Sequence, residues 1–343
     1  MLRGLFWALV FWAAVMAANL DLRGQELTYW TWAKNSGGIS PDGPPLAAWL
    51  TAFFTRVFGE SPLAVRVPSL LFRTGALGLF VVWASDRWSL TVAKRGLWIL
   101  LGSFVSLAGA IVATPESCFV FFAVWAMIEA DRRHAVRTGL ALGLAMLSKW
   151  ATLGLLPGVI WAFATRRRGG PRWGGFLIAL TVAILVQLPV VLTSSADEWA
   201  MLRATWSPAV ASDPDFAQRL TNGAAFFMDQ VLLGGFTFVG ALLIALWILV
   251  RRGIRAPILG YNRYGSVRVP ISLWVMPMLL AYGVSALRGE WRAEGTAFIF
   301  LPLAGALASW LNFNSRLEEQ RFEWKMLLLT LTSTVLLSVA LLR

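Results

Sequence analysis

Residues 131–168 read DRRHAVRTGLALGLAMLSKWATLGLLPGVIWAFATRRR. An apolar run, Thr138–Ala164, stands between two basic clusters, Arg132-Arg133 before it and Arg166-Arg167-Arg168 after it. Basic residues flanking membrane spans collect on the cytoplasmic side. If both clusters lie there, the chain must enter the bilayer and return within these few residues. Two full spans need about 20 apolar residues each, so the stretch is too short for that. It therefore reads as two short helices meeting at Ser148-Lys149, partway across or near the outer face, with protein or water around the tip.

The composition around this stretch excludes a water-soluble protein. Of 343 residues, 58% are hydrophobic and 14% charged, with a mean hydropathy of +0.66. Soluble domains average about 25% charged residues. A single Cys, Cys118, and a single His, His134, exclude a disulfide framework and a Cys- or His-based metal site. The net charge of +12 is that of basic membrane loops rather than of a nucleic-acid-binding protein. Further apolar runs fall near residues 5–18, 67–84, 96–113, 117–130, 174–192, 226–250, 269–287, 296–311 and 326–342. The first also has the form of a signal-peptide core, but a polytopic chain needs it as its first anchor. The expected architecture is an all-α integral membrane protein: a helical bundle of about 11 spans over residues 1–343, with no separate soluble domain.

Orientation follows from charge. With the N-terminus in the cytoplasm, 19 Lys and Arg fall in cytoplasmic loops and 10 outside, leaving Arg73 inside a span. The outer side and its helix ends then hold 12 of the 18 acids, so carboxylate chemistry belongs to the outer face. The outer loops are residues 19–66, expected to carry amphipathic helices, a short turn at Thr114-Pro115-Glu116, residues 193–225, and residues 288–294.

The first outer loop contains Gln25-Glu26-Leu27-Thr28-Tyr29-Trp30, then Pro41-Asp42-Gly43-Pro44-Pro45-Leu46, Phe58-Gly59-Glu60, and Arg66-Val67-Pro68-Ser69. Later come Thr114-Pro115-Glu116, Ser148-Lys149-Trp150 and Glu290-Trp291-Arg292-Ala293. In order and spacing this series resembles the polyprenyl-phosphate-sugar-dependent glycosyltransferases of the GT-C fold. The bacterial form of glycosyltransferase family 39 is the nearest group. It includes relatives of protein O-mannosyltransferases, of the lipid A aminoarabinose transferase and of rhizobial galacturonosyltransferases. The resemblance implies sugar transfer from a polyprenyl-phosphate donor to a lipid, polysaccharide or protein acceptor, on the outer face of a bacterial inner membrane. Two positions depart from the family pattern. Gln25 stands where the family has its catalytic acid, and Gly43 where it has a His.

Such chemistry needs a carboxylate to take the acceptor's proton and cations to stabilise the departing phosphate. With Gln25 unable to serve, the candidate carboxylates are Glu26, Asp21 (if it shares a helical face with position 25) and Glu116. Arg66, Lys149, Asp42, Tyr29, Arg203 and Arg292 are the expected substrate contacts. Each has a plainer reading as well: loop acid, helix-terminus charge, turn cap or headgroup anchor. No metal is required, although a carboxylate-bound divalent cation is compatible with the loops. Two other functions stay open: a non-catalytic relative that binds lipid-linked sugar, which Gln25 favours, and a lipid-linked transporter or flippase, which predicts paired broken spans in related halves.

Overall fold

The computed structural model describes residues 1–35, 43–165, 172–194, 214–252, 268–289, 293–311, 313 and 315–342. All regular structure among them is helical: α1 (Leu2–Asn19), α2 (Gln25–Asn35), α3 (Leu46–Phe58), α4 (Pro62–Arg87), α5 (Leu90–Leu101), α6 (Phe104–Ile111), α7 (Pro115–Asp131), α8 (Ala135–Ser148), α9 (Leu156–Ala164), α10 (Trp173–Ser194), α11 (Phe216–Arg252), α12 (Ile271–Leu287), α13 (Phe300–Trp310) and α14 (Arg316–Leu342). Two 3₁₀ segments, Trp150–Leu155 and Ala293–Ile299, lead into α9 and α13. Local sequence explains the main starts. Ser61 precedes Pro62, and its hydroxyl accepts from Ala64 N at 3.2 Å to open α4. Ser89 does the same for α5 through Val92 N. Thr114 and Pro115 open α7, with Glu116 in its first turn.

The eleven expected segments all contain helix, but eleven full-length spans are not what the structure shows. Among the described residues five helices are long and apolar enough to cross a membrane: α1, α4, α10, α11 and α14. A sixth forms if α5 and α6, bent by 66°, are taken as one broken span. The remaining segments are shorter. Even the 17 residues of α7 and of α12 reach only about 26 Å at 1.5 Å per residue, against a hydrocarbon core of about 30 Å. Apolar runs in the sequence report burial from water without saying whether lipid or protein covers them. Helix α7 illustrates this, being buried along nearly its whole length between α4 and α8.

Breaks in the helices are covered by protein, as irregular backbone in a bilayer must be. The turn at Gly102-Ser103 packs against Gly235, whose φ of 66° and ψ of −170° interrupt α11. Only glycine readily adopts that backbone. Thr237, just beyond it, donates its hydroxyl to Ile99 O at 2.7 Å. Small residues also permit close helix approach: Gly139 and Gly143 on α8 face Ala179, Val182 and Val186 of α10, the small-xxx-small arrangement of membrane helices.

Residues 131–165 fold as the flanking charges implied. Helix α8 ends at Ser148, Lys149 adopts an extended backbone, and the chain returns through the 3₁₀ turn into α9. Arg133, at the start of α8, donates to the carbonyls of Ala162, Phe163 and Thr165 at the end of α9. The two ends of the hairpin are thus tied together, and Lys149 stands at its far tip.

Charged pairs form two layers. One holds Arg66–Glu26, Lys149–Glu116 and Lys34–Glu60. The other holds Arg87–Asp131, Arg132–Asp86, His134–Glu129 and Arg95–Glu319. Arg66 and Arg87 belong to the same helix, α4, and are separated along it by about 32 Å, close to the hydrocarbon thickness of a bilayer.

Candidate active site

The layer containing Arg66 has two buried centres. In the first, Arg66 and Glu26, each 2% exposed, form a bidentate pair: Nε to Oε1 at 2.7 Å and Nη2 to Oε2 at 2.6 Å. Arg66 also donates to the carbonyls of Ala17, Leu20 and Asp21 at 3.0, 2.6 and 2.8 Å. Glu26 also accepts from Ala113 N at 2.7 Å and Arg23 N at 3.2 Å. A guanidinium has five N–H donors and a carboxylate about four lone-pair sites, and all are occupied. This clasp joins the end of α1, the start of α2, the start of α4 and the turn before α7. Glu26 and Arg66 were expected as base and phosphate contact; in this geometry neither has a group free for that work.

In the second centre, Glu116 in the first turn of α7 is 2% exposed. Its Oε1 accepts from Lys149 Nζ, while Oε2 has no hydrogen-bond partner. Lys149 remains partly open, its side chain 20% exposed. Its Nζ lies 5.6 Å from the centre of the Tyr282 ring on α12. Lys149 lies between helices, at the hairpin tip. Burial there opposes its charge, but Glu116, with Tyr282 beside it, outweighs burial and raises its pKa above the ordinary lysine value. The ammonium is therefore charged throughout the working pH range. Asymmetry makes this centre chemically competent: a cation with an open side, next to a carboxylate with one unused oxygen.

The other expected residues are more dispersed. Asp21 is exposed. It cannot share a helical face with position 25, because residues 20–24 are not helical and α2 begins at Gln25. Tyr29 is buried in a small cluster with Trp32, Ala47 and Ala48, its ring edge-on to Trp32 at 5.0 Å, where it packs α2 on α3. Asp42, Arg203 and Arg292 lie outside the described residues. Among the described residues no three His, Cys, Asp or Glu side chains come together as metal ligands. Two residues were missed by sequence reasoning. Tyr282 is the one tyrosine in its apolar run, which was a usable signal. Arg73, the one basic residue placed inside a span, is 2% exposed with its guanidinium against Gly109; its isolation in the sequence was the signal.

This fold is shared with a solved membrane protein. The chain superposes on the crystal structure of ArnT from Cupriavidus metallidurans in the apo state with a TM-score of 0.69 at 15% identity, over 93% of this chain and 61% of that one. The form of that protein bound to undecaprenyl phosphate gives 0.66 at 16% identity, over 93% and 62%. Residues 42–192 match the family model for dolichyl-phosphate-mannose-protein mannosyltransferase. The chain is similar to lipid A galacturonosyltransferase RgtD of Rhizobium johnstonii, 24% identical over 259 residues, which cover 70% of this chain and 52% of that protein. It is also similar to the undecaprenyl phosphate-alpha-4-amino-4-deoxy-L-arabinose arabinosyl transferase of Pseudomonas paraeruginosa, 29% identical over 173 residues, covering 45% and 31%. The matched region is thus about half of the first of these relatives and about a third of the second.

Proposed function

We propose that this chain is a glycosyltransferase of a bacterial inner membrane, moving a sugar from a polyprenyl-phosphate donor to an acceptor, a lipid in the first instance, at the outer face. The observation that carries this reading is the Glu116–Lys149 pair, a buried carboxylate with an unused oxygen beside a partly open ammonium, set in the ArnT fold. The names of the similar proteins, one acting on lipid A and one using undecaprenyl phosphate, support the donor and acceptor classes. The charge asymmetry of the loops supports eleven membrane segments in all, with the N-terminus in the cytoplasm and the C-terminus outside.

In this reaction Lys149 turns from Glu116 to an oxygen of the donor phosphate. Glu116, released, takes the proton of the acceptor hydroxyl. The acceptor oxygen bonds to the anomeric carbon as the bond from that carbon to the phosphate oxygen breaks, through an oxocarbenium-like state. The polyprenyl phosphate leaves with its charge held by Lys149, a task that calls for no metal ion. Asp42, Arg203 and Arg292 are assigned to donor or acceptor contacts from the outer loops.

The test is transfer of radiolabelled sugar by purified protein. Glu116→Gln should lower the rate by about 10²–10⁴-fold; full activity in that variant overturns the assignment. One observation favours a second reading, a non-catalytic binder of lipid-linked sugar: Gln25 replaces the family acid and the neighbouring Glu26 is fully engaged by Arg66. Donor binding without any transfer would establish that alternative.

A further inference from the structure

We propose that the groove between the end of α11 and the start of α14 is a binding site for one anionic glycerophospholipid. It lies in the layer of charges opposite Glu116, and it goes beyond the sugar-transfer reading without depending on it.

Two helical stripes build the groove. Helix α11 supplies Leu243, Ile244, Trp247 and Ile248, a spacing that keeps them on one face. Helix α14 supplies Glu318, Arg321, Phe322 and Lys325, spaced i, i+3, i+4 and i+7, again one face. The groove has a volume of about 400 Å³, within the range of small-molecule sites, about 300–1,000 Å³. Ile248 and Phe322 are buried and make its floor, while Leu243 and Trp247 are 61% and 52% exposed and leave its mouth open. The α11 wall is therefore apolar, and the α14 wall carries two cations against one carboxylate.

Its depth suits an amphiphile. Lys325 is the last charged residue of α14 before the uncharged run Met326–Leu342. On α11 the groove residues close the apolar run, shortly before Arg251-Arg252. Trp247 and Trp324 are both more than half exposed at this level, as Trp is where hydrocarbon meets headgroups. Glu319, next in the chain to Glu318, belongs to the Arg95 pair of the layer around Arg87. The groove thus stands at the membrane boundary remote from Lys149, so its occupant is a lipid of that leaflet rather than the donor. The charges name the class of lipid. Arg95 is engaged by Glu319 and by Leu311 O, whereas Arg321 and Lys325 are exposed and join no ion pair among the described residues. Two unpaired cations facing an apolar wall complement a phosphate that carries acyl chains, and basic pockets between membrane helices take anionic headgroups in this way. Under the orientation proposed above, this is the cytoplasmic leaflet.

The experiment is native mass spectrometry of the purified full chain, titrated with phosphatidylglycerol and with phosphatidylcholine of the same acyl chains. One phosphatidylglycerol per chain should bind at least tenfold more tightly than phosphatidylcholine. Arg321→Gln/Lys325→Gln should weaken it by roughly 25-fold, about fivefold for each basic residue, and both side chains are exposed, so the fold survives. Arg316→Gln removes an exposed charge of the same helix outside the groove and should leave binding unchanged. Ile244→Trp, which fills the groove at constant charge, should abolish it. Equal affinity for the two lipids overturns the proposal, and so does a loss from Arg316→Gln as large as that from Arg321→Gln, which would make the attraction a diffuse one. Unchanged binding in the double variant overturns it too, since the groove is then occupied by protein. Undecaprenyl phosphate that displaces phosphatidylglycerol at lower concentration, with the same dependence on Arg321 and Lys325, makes the groove a carrier site and overturns the assignment to a glycerophospholipid.

Discussion

Replacing Arg66 with Met should act first on stability. The substitution removes all five guanidinium hydrogen bonds at once. Glu26, 2% exposed, keeps the amides of Ala113 and Arg23 but loses its counter-charge, and the carbonyls of Ala17, Leu20 and Asp21 lose their donor. Breaking a buried pair by removing one partner costs about 3–5 kcal/mol. The carbonyls add to that to the extent that water does not reach them. Glu26→Gln should cost less, because the amide oxygen still accepts from Arg66 Nε and Ala113 N and no charge is created, although the amide NH₂ then faces the donors of Arg66 Nη2 and Arg23 N. In the double variant Arg66→Met/Glu26→Gln no buried charge is stranded, and much of the loss should return, a coupling of about 2 kcal/mol or more. The protein carries its own reporter. Cys118, its one cysteine, is buried, so a thiol-reactive dye follows thermal unfolding in detergent through a single site. The expected order of melting temperature is wild type, Glu26→Gln, double variant, Arg66→Met, with the last well below the others. If Arg66→Met melts with the wild type and loses only polyprenyl-phosphate binding, the clasp is refuted and Arg66 is a ligand contact after all.

Other tests address the site and the topology. Lys149→Ala should weaken undecaprenyl-phosphate binding roughly ten- to a hundredfold, the worth of a charged hydrogen bond; unchanged affinity would leave Lys149 as a structural partner of Glu116. Cys introduced at the exposed positions Glu60 and Lys94 should divide across the membrane. An impermeant reagent applied to spheroplasts should label the first and spare the second, and the reverse pattern would invert the orientation and move the active site to the cytoplasm. Gly235→Ala should destabilise the chain by about 1–3 kcal/mol through backbone strain alone, read by the same dye assay, and wild-type melting would show that the break in α11 tolerates a side chain.

The bundle and the hairpin were legible from apolar runs and loop charges, because both signals are set by water and lipid and survive without knowledge of packing. The number of full spans was not. Residues 117–130 are as apolar as a lipid-facing helix, yet α7 is enclosed by protein, and hydropathy does not distinguish the two surroundings. At the site, the sequence named Glu26, Arg66, Glu116 and Lys149 but not their partners. Arg66 and Glu26 are 40 positions apart, Lys149 and Glu116 are 33 apart, and nothing local specifies which acid meets which base. That pairing decides function: crossed, the same four residues would have left a different carboxylate half-satisfied. The condition attached to Asp21, a helical face shared with position 25, is not met, since residues 20–24 carry no regular helix and the four-residue spacing therefore has no meaning there.

The charge count of this layer argues for what the site receives. Among the described residues it holds the buried Glu26, Arg66, Glu116 and Arg73 and the partly open Lys149: two anions and three cations. The clasp is neutral by itself, so the excess positive charge belongs to the Glu116 centre, where low dielectric makes it costly. A sugar-bearing polyprenyl phosphodiester carries a single negative charge and would bring the centre to neutrality. A neutral donor would not, and a polyprenyl diphosphate sugar would overshoot. In the proposed reaction the diester becomes a phosphate monoester while Glu116 takes up a proton, so the centre then holds two cations against the monoester's second negative charge, and the spent carrier should be held at least as tightly as the donor. The carrier alone is then expected to inhibit transfer competitively with the donor, at concentrations no higher than those at which the donor binds. Uninhibited turnover in the presence of excess undecaprenyl phosphate would mean that these three charges are not where the phosphate sits.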